Sequence, residues 1–99
     1  MVTKRDVSTA LLTEIKNVLD ITWSDNHTDA KITELIRGGM MYLDSKYGGE
    51  ANYESDGFAR TLLEEYVRYA RDSALDVFEN NYRALILAMQ NQKAVSIDD

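Results

Sequence analysis

Leu11-Leu12-Thr13-Glu14-Ile15-Lys16-Asn17-Val18-Leu19-Asp20-Ile21 leads through Trp23-Ser24-Asp25-Asn26-His27-Thr28-Asp29 into Ile32-Thr33-Glu34-Leu35-Ile36-Arg37-Gly38-Gly39-Met40-Met41-Tyr42-Leu43. Leu11, Ile15, Val18 and Leu19 recur at helical spacing, as do Ile32, Leu35, Ile36 and Leu43. Each set draws one apolar stripe on a helix, and the polar run Ser24–Asp29 hinges the two into a hairpin-like pair. Asp25, Asn26, Thr28 and Asp29 offer oxygen acceptors for the free amides of a second helix, expected over Asp29–Tyr47, and their charge suits its positive end. Ile21 and Trp23, flanking the turn, are expected to pack back on the core. The first helix is expected to begin between Thr3 and Ser8 and to end near Asp20. Thr3 with Asp6 has capping-box spacing and Ser8 is the rival cap, and the sequence leaves both open.

Gly38-Gly39 falls inside the second helix, where each glycine costs about 1 kcal/mol relative to alanine. Close approach of another backbone would offset that cost, and a kink is the alternative. Gly48-Gly49 ends the helix, and Glu50–Asp56 reads as a polar connector, the candidate mobile loop. From Phe58 the pattern resumes through Leu62, Tyr66, Tyr69, Ala70, Ala74, Val77 and Phe78, with Asn80-Asn81 as its expected break. Glu64 precedes Arg68, and Glu79 precedes Arg83, at the favourable four-residue spacing. Tyr82, Leu85, Ile86 and Met89 form a last stripe before a polar tail. Unbroken, Phe58–Gln90 would be a rod of about 50 Å. The chain contains no proline, and no strand-like alternation is sustained. The expectation is therefore all-α: a single domain over 1–99 of about four helices, an N-terminal pair plus a long C-terminal helical segment, with 91–99 a flexible tail.

Ninety-nine residues make one domain with a thin core, since a chain of this size buries only about 60–70% of its unfolded surface. The net charge of −6 argues against a protein that grips duplex DNA, because such affinity comes mainly from Lys and Arg on phosphates. The absence of cysteine excludes disulfides and thiolate metal sites. The longest uncharged apolar run, Ala84–Met89, is far short of the ~20 residues that span a bilayer. With no apolar leader after Met1, a soluble protein that is not secreted is expected.

No residue set stands out as catalytic, cofactor-binding or metal-binding. His27, the only histidine, lies among capping residues. Counted from Asp25, the sixth and twelfth positions of a calcium loop hold Ala30 and Ile36 instead of Gly and Glu. The paired glycines lack the Gly-Lys-Ser/Thr ending of a phosphate loop. Glu64 and Glu65 are adjacent on a helix and so point in different directions. Tyr66, Tyr69 and Tyr82, interleaved with Arg60, Arg68 and Arg71, could form a stacking platform for nucleic acid. Glu64, Glu65, Asp72 and Asp76 dilute the charge of that segment, however, and a core or subunit-interface role is favoured, interfaces being rich in Tyr and Arg. Tyr66, Arg68, Tyr69 and Tyr82 are therefore the candidate interface residues, and Gly38 and Gly39 the candidate helix-packing residues.

The apolar pattern of Leu11–Leu43, with Leu62-Leu63-Glu64-Glu65-Tyr66-Val67-Arg68-Tyr69-Ala70, Phe78 and Tyr82 after it, resembles the tailed-phage head–tail connector (head-completion, or adaptor) family of the DNA-packaging type. The likeness runs from about Val7 to Met89. Gly38-Gly39 departs from it, standing where small residues such as alanine would be expected. The resemblance implies a structural, non-enzymatic virion protein of the head–tail neck, assembled in the host cytoplasm. It implies a ring, typically of twelve copies, beneath the portal protein, receiving the next neck, stopper or tail protein. DNA would pass through the channel without specific binding, and no membrane or cofactor is implied. Within Tyr82–Asp99 the resemblance implies a portal-reaching portion. The rival readings are a DNA-recognising packaging factor resembling a terminase small subunit, which would need a basic recognition helix, and an unrelated helical partner-binding regulator.

Overall fold

A computed structural model describes residues 6–54 and 57–98, with the side chains of 93–98 outside the description. Five helices follow in order: α1 Thr9–Val18, α2 Asn26–Tyr47, α3 Phe58–Arg71, α4 Phe78–Asn81 and α5 Arg83–Asp98, with a 3-10 turn Leu75–Val77 between α3 and α4. The all-α class holds, with one helix more than the sequence reading counts. No strand occurs among the described residues.

Ser8 caps α1, its hydroxyl oxygen accepting from the Leu11 amide at 3.1 Å. The rival cap Thr3 lies outside the described residues. Asp25 caps α2, accepting from the Thr28 amide at 3.2 Å and from the Thr28 hydroxyl at 2.8 Å. The second helix therefore starts three residues before Asp29. Asp29 instead faces α1, 2.7 Å from the Lys16 ammonium. Leu11, Ile15, Leu19 and Ile21 bury against Ile32, Ile36, Met40 and Leu43 of α2, with Leu62, Leu63 and Val67 of α3 completing the core.

Three helices close on a left-handed residue: Asp20 after α1 (φ 62°), Gly48 after α2 (φ 86°) and Ser73 after α3 (φ 58°). After α1 the Ile21 amide returns to the Lys16 carbonyl at 2.9 Å. After α3 the Ala74 amide returns to the Tyr69 carbonyl at 2.8 Å. These are paired C-terminal closures of the kind glycine usually makes. The turn at Asp72–Ala74 breaks the expected rod, and a second break follows at Tyr82. The described chain consequently measures 44 × 28 × 26 Å, and α5 folds back against α2 and α3. Helical backbone also takes in 91–98, the stretch set apart as a tail.

The two central glycines have different roles. A Cβ on Gly39 would sit 2.8 Å from Leu63 Cδ1 and 2.8 Å from Tyr66 Cδ1, whereas one on Gly38 would meet only Tyr66 Oη at 3.7 Å. The tight approach is made by side chains of α3, not by a backbone, and α2 runs unbroken through the pair.

The connector after α2 is not the loop expected. Ala51 and Tyr53 are buried, Tyr53 to 1% exposure. Asp44, on the last turn of α2, accepts from the Ala51 amide at 3.0 Å and from the Tyr53 hydroxyl at 2.7 Å. Arg60 of α3, also buried, holds the Tyr53 carbonyl at 3.2 Å, Glu14 of α1 at 3.0 Å and Glu64 at 2.9 Å. Burial works against the guanidinium's charge, and the two carboxylates outweigh it, so its pKa is raised. The connector is thus a plug tied into α1, α2 and α3 together. Ser55 and Asp56 lie outside the described residues.

Candidate interaction surface

The tyrosines assigned to subunit contact meet within the chain. Phe78, at the start of α4, is buried among four rings: Tyr42 of α2 (centroids 6.0 Å apart), Tyr66 and Tyr69 of α3 (5.5 and 5.6 Å), and Tyr82 (5.1 Å). Three of these contacts are edge-to-face, the favoured arrangement of ring quadrupoles, and the fourth is stacked. Three of the four phenol groups keep polar partners at the rim of the cluster. Tyr82 donates to Glu65 at 2.8 Å, Tyr42 donates to Glu79, and Asn81 donates to the Tyr69 hydroxyl at 3.2 Å. Burial, reinforced by the carboxylate each one faces, raises the pKa of Tyr42 and of Tyr82. Burial also raises that of Tyr66. The Tyr42 hydroxyl, with Lys46 at 2.9 Å, holds Glu79 below the usual carboxylate range.

Arg68 and Arg71 project from the end of α3 toward the end of α1. They donate to the carbonyls of Val18 at 3.5 Å and Leu19 at 3.3 Å, where a cation complements the negative end of a helix. Glu64 pairs with Arg60, and Arg68 faces Glu65 at 3.5 Å. The expected Glu64–Arg68 pair is therefore replaced by neighbours. Of the four proposed interface residues, only Arg68 is an exposed side chain; the three tyrosines are partly buried.

Exposed large apolar side chains lie elsewhere: Trp23, Met41, Phe58, Leu75, Val77 and Leu87. Trp23 corrects a second expectation. Ile21 packs into the core, but Trp23 is 52% exposed. It stands beside a groove of about 250 Å³ whose walls include Ile21, His27, Lys31, Leu35 and Arg71. The run Thr22-Trp23-Ser24, one large ring among small polar neighbours, is the one local sign of an exposed position.

His27 is exposed and interacts electrostatically with the capping carboxylate of Asp25. Among the described residues, no three His, Cys, Asp or Glu side chains converge as a metal ion would need. No helix among them is long and apolar enough to cross a membrane. The described surface thus carries exposed apolar side chains and a groove whose walls include Lys31 and Arg71. Comparison with family models, curated proteins and solved structures returns no significant match for this chain.

Proposed function

We propose that this chain is a structural head–tail connector of a tailed phage, working by contact as a ring beneath the portal protein and receiving the next neck or tail protein. The observation that carries the reading is the Val7–Met89 resemblance. Of its stripe positions, Leu11, Ile15, Leu19, Ile32, Ile36 and Leu43 are buried, and Val18 and Leu35 are half-buried. Two properties support it. A net charge of −6 suits a channel wall past which DNA must move without sticking. Exposed large apolar side chains, six among the described residues, suit a subunit that buries them on assembly. Twelve copies, a neck location in the virion and assembly in the host cytoplasm belong to the same proposal.

The test is to mix the full chain with the portal protein of its phage and follow mass by light scattering and shape by negative-stain imaging. A ring seated on the portal is the expected result. A chain that remains monomeric with portal present refutes the reading. Salt-sensitive retention on duplex DNA would favour the packaging-factor alternative.

A further inference from the structure

The charges around the Trp23 groove are unusual for this molecule. Acidic residues outnumber basic ones, 17 to 11, and most described cations are neutralised locally. Lys16 pairs with Asp29, Arg37 with Glu34, Lys46 with Glu79, Arg60 with Glu14 and Glu64, and Arg68 with Glu65. Among the described residues, Lys31, Arg71 and Arg83 face no carboxylate at ion-pair distance; Lys31 and Arg71, the latter also donating to the Leu19 carbonyl, line the groove beside Trp23. An unmatched cation pair flanking an exposed indole and the half-buried Leu35 is a surface shaped for an apolar side chain carried between carboxylates.

The chain itself displays such a segment. The turn after α3, Asp72-Ser73-Ala74-Leu75-Asp76-Val77, presents Leu75 at 40% exposure and Val77 at 44%. Asp72 and Asp76 are exposed and pair with no cation among the described residues. The segment is a knuckle held on one side by the Ala74–Tyr69 backbone bond and on the other by Phe78 within its four tyrosines. It does not cover its own chain's groove, since Leu75, Val77 and Trp23 all stay open to solvent.

We infer that the Trp23 groove of one copy receives the Leu75–Asp76–Val77 knuckle of another, with Lys31 and Arg71 facing Asp72 and Asp76. The inference rests on the reading that copies of this chain assemble with one another, and it assigns the surfaces that do so. Leu75 and Val77 insert beside Trp23 and Leu35, the two acidic side chains meet the two cations, and four apolar side chains leave water together. A polyanionic ligand fits less well, because the chain's overall negative charge opposes its approach while a short acidic knuckle needs only two cations.

Two charge reversals of the full chain test this, Lys31→Glu with Arg71→Glu on the groove and Asp72→Lys with Asp76→Lys on the knuckle. Self-association is followed by sedimentation over a concentration series. The emission of Trp23, the only tryptophan, reports directly on burial of the groove. The wild-type chain is expected to associate with a concentration-dependent blue shift. Each reversed variant alone is expected to associate about 100-fold more weakly or not at all, since like charges across an interface are strongly disfavoured. Mixing the two variants restores opposite charges at the contacts between unlike copies, so the mixture is expected to recover both association and the blue shift. That rescue also shows that each variant is folded.

If wild type and both variants assemble alike with unshifted Trp23 emission, this contact is wrong and the assembly reading survives. If the wild type never self-associates, even on the portal, both fall together. Failure of the mixture to recover, with each variant retaining a native helical spectrum and melting transition, overturns the inference. So does a Trp23 shift produced by an oligothymidylate and not by concentration.

Discussion

Gly38 and Gly39 permit a controlled experiment, because the same substitution at adjacent helical positions should have opposite signs. In a helix interior, replacing glycine by alanine gains about 1 kcal/mol of propensity. At Gly38 nothing opposes that gain: the new methyl would sit 3.7 Å from Tyr66 Oη, an ordinary contact. Gly38→Ala is therefore expected to stabilise the chain by about 1 kcal/mol, or roughly 4–8 °C in melting temperature for a domain of this size. At Gly39 the methyl would lie 2.8 Å from both Leu63 Cδ1 and Tyr66 Cδ1. Neither neighbour yields easily. Leu63 is fully buried, and the Tyr66 ring is held against Phe78 and Tyr42. Overpacking of this kind costs about 1–3 kcal/mol, which cancels or exceeds the propensity gain. The two alanine variants should thus differ by about 2 kcal/mol, with Gly39→Ala at or below wild type. Thermal and urea unfolding followed by circular dichroism measure both. If the two variants melt together, α3 does not press on α2 at Gly39 and the packing argument is wrong.

Ser73 closes α3 in a conformation that costs an L-residue about 1–2 kcal/mol, so Ser73→Gly should raise stability by a fraction of that, measurable as a higher urea midpoint. Tyr53→Phe removes the hydroxyl that donates to Asp44 and should cost about 1–2 kcal/mol in the same assay, with the helical spectrum unchanged. The raised phenol pKa values of Tyr42 and Tyr82 carry a sign. A group whose pKa is higher folded than unfolded stabilises the fold below its unfolded pKa, and that stabilisation is lost as pH rises through the folded value. Unfolding should therefore set in above about pH 10, the unperturbed tyrosine pKa, with tyrosinate absorbance appearing together with loss of helix. Tyr42→Phe with Tyr82→Phe should blunt that alkaline step.

The N-terminal pair is legible in the sequence because its signals are local. Stripe spacing, a Ser or Asp cap and a glycine stop each act within a few residues, and Ser8, Asp25 and Gly48 stand where such signals place them. The C-terminal half is less so. Its first break is made by Ser73, and nothing in a serine announces a left-handed turn. Asn80-Asn81, the louder signal, lies at the end of a single-turn helix. The connector misleads for a different reason. Ala51 and Tyr53 bury only because Asp44, seven and nine residues upstream, supplies the acceptor, and such pairing is decided by tertiary structure. The tyrosines read as aromatic contacts, but periodicity cannot reveal that Phe78 collects them inside one chain. A tryptophan beside an apolar stripe reads as core because large rings are usually well buried. The exposure of Trp23 depends on how α1 meets α2.

The setting of Phe78 has a consequence for how the molecule comes apart. One ring on a one-turn helix touches α2, α3 and the Tyr82 turn that leads into α5, so α4 cannot lift away without disturbing its neighbours. Losing α4 would remove Phe78 from its place against α2 and α3 and uncover Tyr42, Tyr66 and Tyr69 at once. Opening of α4 is thereby expected to draw the packing of α2 against α3 with it, in a single all-or-none transition.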